Sequence, residues 1–184
     1  YRQVMGNKKV DREVILMKIL SIDTSTFCGS VAISNGAKFC AELEYRAESS
    51  HAEVLLQVID NALKKACLEI SDIDSFAVAI GPGSFTGLRI GVATAKGLAF
   101  AGNKPIVGIS SLEALAFSAR VTNDESRTTI VPCINAYRAE VYAKACKIVP
   151  RPSSLVLREC SIPPEDLCKE LKKLEGSLLI IGDG

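Results

Sequence analysis

The chain has 184 residues, 48% of them hydrophobic, enough to bury a core in one large domain or two compact lobes and too many for a disordered tail. With 22 basic and 21 acidic residues the net charge is +1, too little for a field that grips a phosphate backbone, so a nucleic-acid partner would have to be held mostly by something else. Seven cysteines, an odd number with no C-x-x-C pair, suit buried thiols in a reducing cytosol better than a disulfide framework or a zinc site.

Residues 1–16 are charged and lack the apolar core of a secretory signal, and they read as an extension, an expression remnant or a misplaced start before Met17. Residues 18–23 form a mostly apolar strand pattern ending at Asp23, followed by the polar turn Thr24-Ser25-Thr26. Residues 29–34 and 37–45 read as two more strands around the hairpin signal Asn35-Gly36, so three antiparallel strands open the domain. Ser50 and Glu53 fit a capping box, behind which Ala52, Leu55, Leu56, Ile59, Ala62, Leu63 and Ala66 recur at helical spacing. Residues 76–80 are a short apolar run closed by Gly81, as expected of a buried central strand. The helix predicted over 86–101 carries Gly87, Gly91, Ala95 and Ala99 at every fourth position, a small-residue stripe that lets another helix approach closely. Its weakly polar stretch, 88–101, is interrupted by Arg89 and Lys96 and falls short of the roughly 20 apolar residues that span a bilayer.

Residues 105–109 give a further strand, Ser110 and Glu113 a second capping box, and 112–119 a helix. The polar run 122–126 reads as a hinge or surface loop. Two strands, 128–134 and 140–149, then flank Asn135-Ala136-Tyr137-Arg138, with Arg138 and Glu140 as a cross-strand surface pair or part of a partner-binding edge. Pro150-Arg151-Pro152 interrupts the pattern. A strand at 154–159, a helix from about 164 to 174 and a strand at 177–181 follow. An ending at Gly182-Asp183-Gly184, directly after a strand-like run, suggests that more chain follows.

The segment Gly81-Pro82-Gly83-Ser84-Phe85-Thr86-Gly87-Leu88-Arg89 invites a phosphate-loop reading, because amides at a helix N-terminus bind anions. Its spacing matches neither the P-loop nor the dinucleotide fingerprint, where Thr86 stands in place of the third glycine. Pro82, two residues before Ser84, excludes a nucleophile elbow. Two readings remain: a tight turn with close helix contact, or direct ligand binding. Asp23 with Thr24, Ser25 and Thr26 at a strand end could hold a metal-bound water and a phosphate, or the carboxylate could simply cap the turn. His51 is the only histidine, so a two-histidine metal site cannot be built, and it reads as an exposed or packing residue at its helix start.

Taken together, residues 18–26, 81–99 and 107–115 closely resemble the TsaB family, also called YeaZ, and the similarity extends over most of 17–184. The resemblance implies an α/β actin-like ATPase fold (ASKHA, ribonuclease H-like). Its two related lobes would span 17–109 and 110–184, the second truncated at its C-terminus. It also implies a cytoplasmic role in bacterial tRNA maturation. TsaB pairs with its paralogue TsaD and, with the ATPase TsaE, supports transfer of threonylcarbamoyl from an adenylate made by TsaC to the adenosine beside the anticodon. TsaD is the catalytic member, and its pattern G-V-N-H-L-E-G-H supplies two metal-binding histidines. Here Ser111 and Leu115 occupy those positions, and leucine cannot ligate a metal. No catalytic residue and no metal ligand is therefore expected in this chain, which also argues against the glycoprotease label carried by the wider family. The second-lobe hairpin departs from the family pattern by Asn135 in place of aspartate, removing a charge near the interlobe cleft.

On this reading tRNA is met through the complex. No cofactor is held tightly by the chain alone, and ATP or ADP with Mg²⁺ would sit at a subunit boundary. The partner interface is expected on the two first-lobe helices, with Leu55, Leu56, Ile59, Gly87, Gly91 and Ala95 as candidates. The same surface would support a homodimer when TsaD is absent. The rival readings are a small-molecule kinase or ATPase of the same fold, using Asp23, Thr24, Ser25 and Thr26 on ATP, and a metallopeptidase.

Overall fold

Leu20 and Ile22 alternate with Ser21 and Asp23, and this period of two makes β1, Lys18–Asp23, a strand with one buried apolar face. The computed structural model describes residues 16–47, 51–122, 128–136, 139–147 and 154–184. In it β1 pairs antiparallel with β2, Cys28–Asn35, and β2 with β3, Lys38–Arg46. The hairpin loop is Gly36-Ala37, one residue later than Asn35-Gly36. Asn35 instead pairs with Lys38, and Gly36 takes the positive φ of +59° that the first loop position needs.

β4, Ser75–Gly81, and β5, Ile106–Ser110, add in parallel and complete a five-stranded sheet in the order β3-β2-β1-β4-β5. Helices α1, His51–Ala66, and α2, Phe85–Gly102, cover one face. Leu55, Ile59 and Ala62 of α1 and Ala95 and Ala99 of α2 meet Leu20, Ile22, Val31, Ile33, Phe76 and Val78 in the main core. Burying a side chain such as Phe76 contributes about 1.5–3 kcal/mol through removal of apolar area from water. α2 starts at Phe85 because the Ser84 hydroxyl accepts the Gly87 N–H at 3.2 Å. It stops at Asn103, which adopts the left-handed conformation and donates its N–H to Ala99 and Phe100.

β6, Thr128–Asn135, β7, Val141–Lys147, β8, Ser154–Ile162, and β9, Ser177–Gly182, form a second sheet in the order β8-β7-β6-β9. The β6–β7 register lapses at Val131 and Pro132, where proline has no N–H to give. α3, Ser111–Thr122, lies between the sheets. Ala116 and Ala119 pack with Ile130 and Cys146 of the second sheet, while Ala114 faces the first. Only half of the second capping box forms. Ser110 Oγ accepts the Glu113 N–H at 3.4 Å, but the Glu113 carboxylate binds Lys144 of β7 at 2.8 Å and so ties α3 to the second sheet. α4, Pro164–Leu171, seats Leu167 and Leu171 on Val131, Cys133, Ala143 and Ala145. It ends three residues before Leu174, whose N–H closes a turn onto Leu171.

Cys133 and Cys146 are buried as expected, but Cys28, Cys67 and Cys168 are exposed. Burial, with Cys160 and Cys168 nearby, pushes the Cys133 thiol up. Among the described residues no helix is long and apolar enough to cross a membrane. The Ser50 cap, the polar run 122–126 beyond Thr122, Tyr137, Arg138 and the proline break at 150–152 lie outside the described residues.

Candidate functional site

The two segments singled out for phosphate chemistry meet, but they bind each other. Thr24 and Ser25 are 0% and 3% exposed, and Thr24 Oγ1 donates to the Gly87 carbonyl at 2.8 Å. The Ser84 N–H donates to the Ser25 carbonyl at 2.6 Å. A Cβ on Gly83 would stand 2.3 Å from Ser25 O, one on Gly87 2.1 Å from Thr24 O, and one on Gly91 2.2 Å from Thr24 Oγ1. No side chain fits in such gaps, so the glycine spacing records how closely α2 lies on the β1–β2 turn. Asp23 Oδ1 accepts the Ser25 N–H at 2.8 Å, the turn-capping role. Thr24 is thereby corrected as a nucleotide ligand, since its hydroxyl faces α2. Asp23, Ser25 and Thr26 still line a cavity.

His51 opens α1 and is 7% exposed, so of the two readings, exposed or packing, it is the packing residue. Its Nε2 lies 2.8 Å from the Thr26 carbonyl, which can only accept, so Nε2 carries the proton and Nδ1 accepts from the Tyr45 hydroxyl at 2.9 Å. The ring thus fastens α1 and β3 to the same turn. The Tyr45 phenol is pushed up to about 12 by burial and, secondarily, by the Asp23 carboxylate. Nothing in the local sequence signals this network, because Thr26 and His51 are 25 residues apart.

The interface candidates need correction for the same geometric reason. Leu55, Ile59, Gly87, Gly91 and Ala95 all face the core, and of the set only Leu56 is open, at 62% exposure. The small-residue stripe is the inner row of α2. Its outer row runs Arg89, Ala93, Lys96, Gly97 and Phe100. Phe100 is 91% exposed, and a Cβ at Gly97 would meet nothing within 4 Å. Phe85 is also exposed and carries the Arg89 guanidinium 3.8 Å above its ring.

Between the lobes, a cavity of about 530 Å³ is lined by Gly83, Ser84, Phe85 and Thr86 on one side and by Ala136, Glu140, Tyr142 and Ser161 on the other. Glu140 accepts the Ser161 hydroxyl rather than standing free. A second cavity, about 210 Å³, places Ser111 and Leu115 opposite Asp23, Thr26 and Glu44. Asn135, at the end of β6, gives its N–H to Asp183 at 3.1 Å. Among the described residues no group of three or more His, Cys, Asp or Glu is placed to hold a metal ion. The arrangement offers hydroxyls and carboxylates, with the Ser161 hydroxyl held by Glu140 at the wall of the larger cavity.

Comparison with known proteins matches this geometry to a family. Residues 45–175 match the family model of TsaD, tRNA N6-adenosine threonylcarbamoyltransferase. The tRNA threonylcarbamoyladenosine biosynthesis protein TsaB of Escherichia coli is 31% identical, over 91% of this chain and 72% of that protein. YeaZ from Pseudomonas aeruginosa superimposes with a TM-score of 0.70 at 31% identity, covering 82% of this chain and 68% of the other. A structure described as similar to peptidase YeaZ from the same organism reaches 0.76 at 25% identity, covering 92% and 85%. The fold is thus the two-sheet α/β fold of YeaZ, and the chain belongs to the TsaB family.

Proposed function

We propose that this chain is a non-catalytic partner subunit in the synthesis of tRNA N6-threonylcarbamoyladenosine, binding and activating a TsaD-type transferase in the cytoplasm. Family membership supports the pathway. The observation that carries the non-catalytic part is Ser111 and Leu115 at the positions where TsaD has metal-binding histidines, together with a single histidine bonded into the β1–β2 turn. Metal-assisted transfer needs protein ligands for its ion.

The partner face we favour is the outer side of α1 and α2, with Leu56, Ala93, Gly97 and Phe100. Leu56 and Phe100 are large apolar side chains left open on these two helices, and exposed apolar surface of this kind suits a docking partner. A similarly folded paralogue can present a matching pair of helices, and a second copy of this chain can take the place when TsaD is absent. TsaE and tRNA join through that complex, and ATP or ADP with Mg²⁺ sits at its subunit boundary. A kinase-like use of this chain's own turn is disfavoured by the burial of Thr24 and Ser25. Co-purification with TsaD tests the face. Leu56→Asp with Phe100→Asp should abolish capture while thermal unfolding stays unchanged, and undiminished capture would place the interface elsewhere.

A further inference from the structure

The face of the five-stranded sheet turned away from α1 and α2 carries two adjoining cavities that share Asp23 and Ser30. One, of about 210 Å³, is polar, with Ser25, Thr26, Glu44 and Ser111 around the shared pair. The other, of about 200 Å³, is lined mainly by Ala32, Ala77, Val78, Ala79, Ile109 and Ala114. Asp23 pairs with Ser30, and Ser30 with Glu44, so the three stand in one rank across neighbouring strands and on one face. With strands about 4.8 Å apart, the two carboxyl-bearing backbones are about 10 Å apart with a hydroxyl between them. Among the described residues no lysine, arginine or histidine lines either cavity. Independently of the carboxylates, Ser111 is 2% exposed and its Oγ has no hydrogen-bond partner, although buried hydroxyls are normally satisfied.

We propose that this groove binds an amphipathic organic cation. A primary ammonium sits at the polar end between Asp23 and Glu44, hydrogen-bonded to the hydroxyls, and an apolar body lies over Ala32, Ala77 and Ile109. The two cavities together fall in the range of about 300–1,000 Å³ usual for small-molecule sites. Two carboxylates with no cation among the described lining residues repel a phosphate and attract an ammonium. A bare metal ion would use only the polar end, where among the described residues no group of three His, Cys, Asp or Glu is placed to hold one. The proposal does not depend on pairing with TsaD.

Calorimetric titration of the 184-residue chain with 2-phenylethylamine at neutral pH tests it, with 2-phenylethanol as the uncharged match and MgCl₂ as the metal control. The amine should bind saturably, and the alcohol at least about tenfold more weakly, the factor expected for losing a charge-assisted hydrogen bond. Asp23→Asn keeps an oxygen for the Ser25 N–H, and Glu44→Gln lies at an exposed position, so both should fold and each should weaken the amine by about tenfold. Ser111→Ala should weaken it severalfold with an unchanged or higher Tm, because it removes a buried unpaired hydroxyl. Alkylation of the exposed Cys28 at the polar end should slow when the amine is bound. Absence of amine binding up to millimolar concentration, equal binding of the alcohol, unchanged affinity in folded Asp23 and Glu44 variants, or Mg²⁺ binding that excludes the amine would each overturn the proposal.

Discussion

The two faces of the five-stranded sheet are finished differently. On one, α1 and α2 lie so close that three glycines of the α2 segment rest on the atoms of a single turn, and the polar atoms of that turn point into hydrogen bonds with the helices. On the other, small residues, two carboxylates and an orphaned hydroxyl border open cavities, with α3 and Ile134 of β6 beside them. A polar turn at a strand end is equally suited to bind a ligand or to bind a neighbouring helix. Burial decides which, and here Thr24 serves the helix while Asp23 and Thr26 remain at the cavity wall.

The contrast can be broken from its tight side first. Gly91→Leu forces a branched side chain onto Thr24 and should cost about 3 kcal/mol or more in urea unfolding, failing as a folding variant rather than as an interface variant. A stable Gly91→Leu protein would mean that α2 can lift off the turn. Thr24→Val keeps the volume but leaves the Gly87 carbonyl without the hydroxyl, and it should cost about 1–2 kcal/mol by the same measurement. The smallest effect belongs to Tyr45. Its folded pKa of about 12 lies above the ordinary phenol value of 10.0, so the unfolded chain loses this proton first. Its contribution to stability is complete below pH 10 and declines as pH rises from 10 towards 12. Tyr45→Phe should flatten that part of the stability profile, and an unaltered slope would show that the phenol is not held as described.

Strand alternation, the glycine that closes β4 and the helical spacing in α1 and α2 were enough to place the elements of the first sheet and its two helices within a few residues. What they could not supply was the direction of each face. Leu55 and Leu56 are adjacent and equally apolar, yet one is buried and the other open, because only the position of the sheet tells the inner row from the outer. The α2 stripe of Gly87, Gly91 and Ala95 was legible as close contact but not as contact with Thr24, 63 residues away from Gly87. His51 was the least legible. Its three-way bond depends on a turn, a strand and a helix converging, and no local pattern encodes that convergence.

Threonylcarbamoyl transfer to tRNA by the purified chain, supplied with threonylcarbamoyl-AMP, is the most direct test of the claim that catalysis resides in another subunit. The account predicts negligible product from the chain alone and full transfer once TsaD and TsaE are added. Robust turnover by the isolated chain would contradict it.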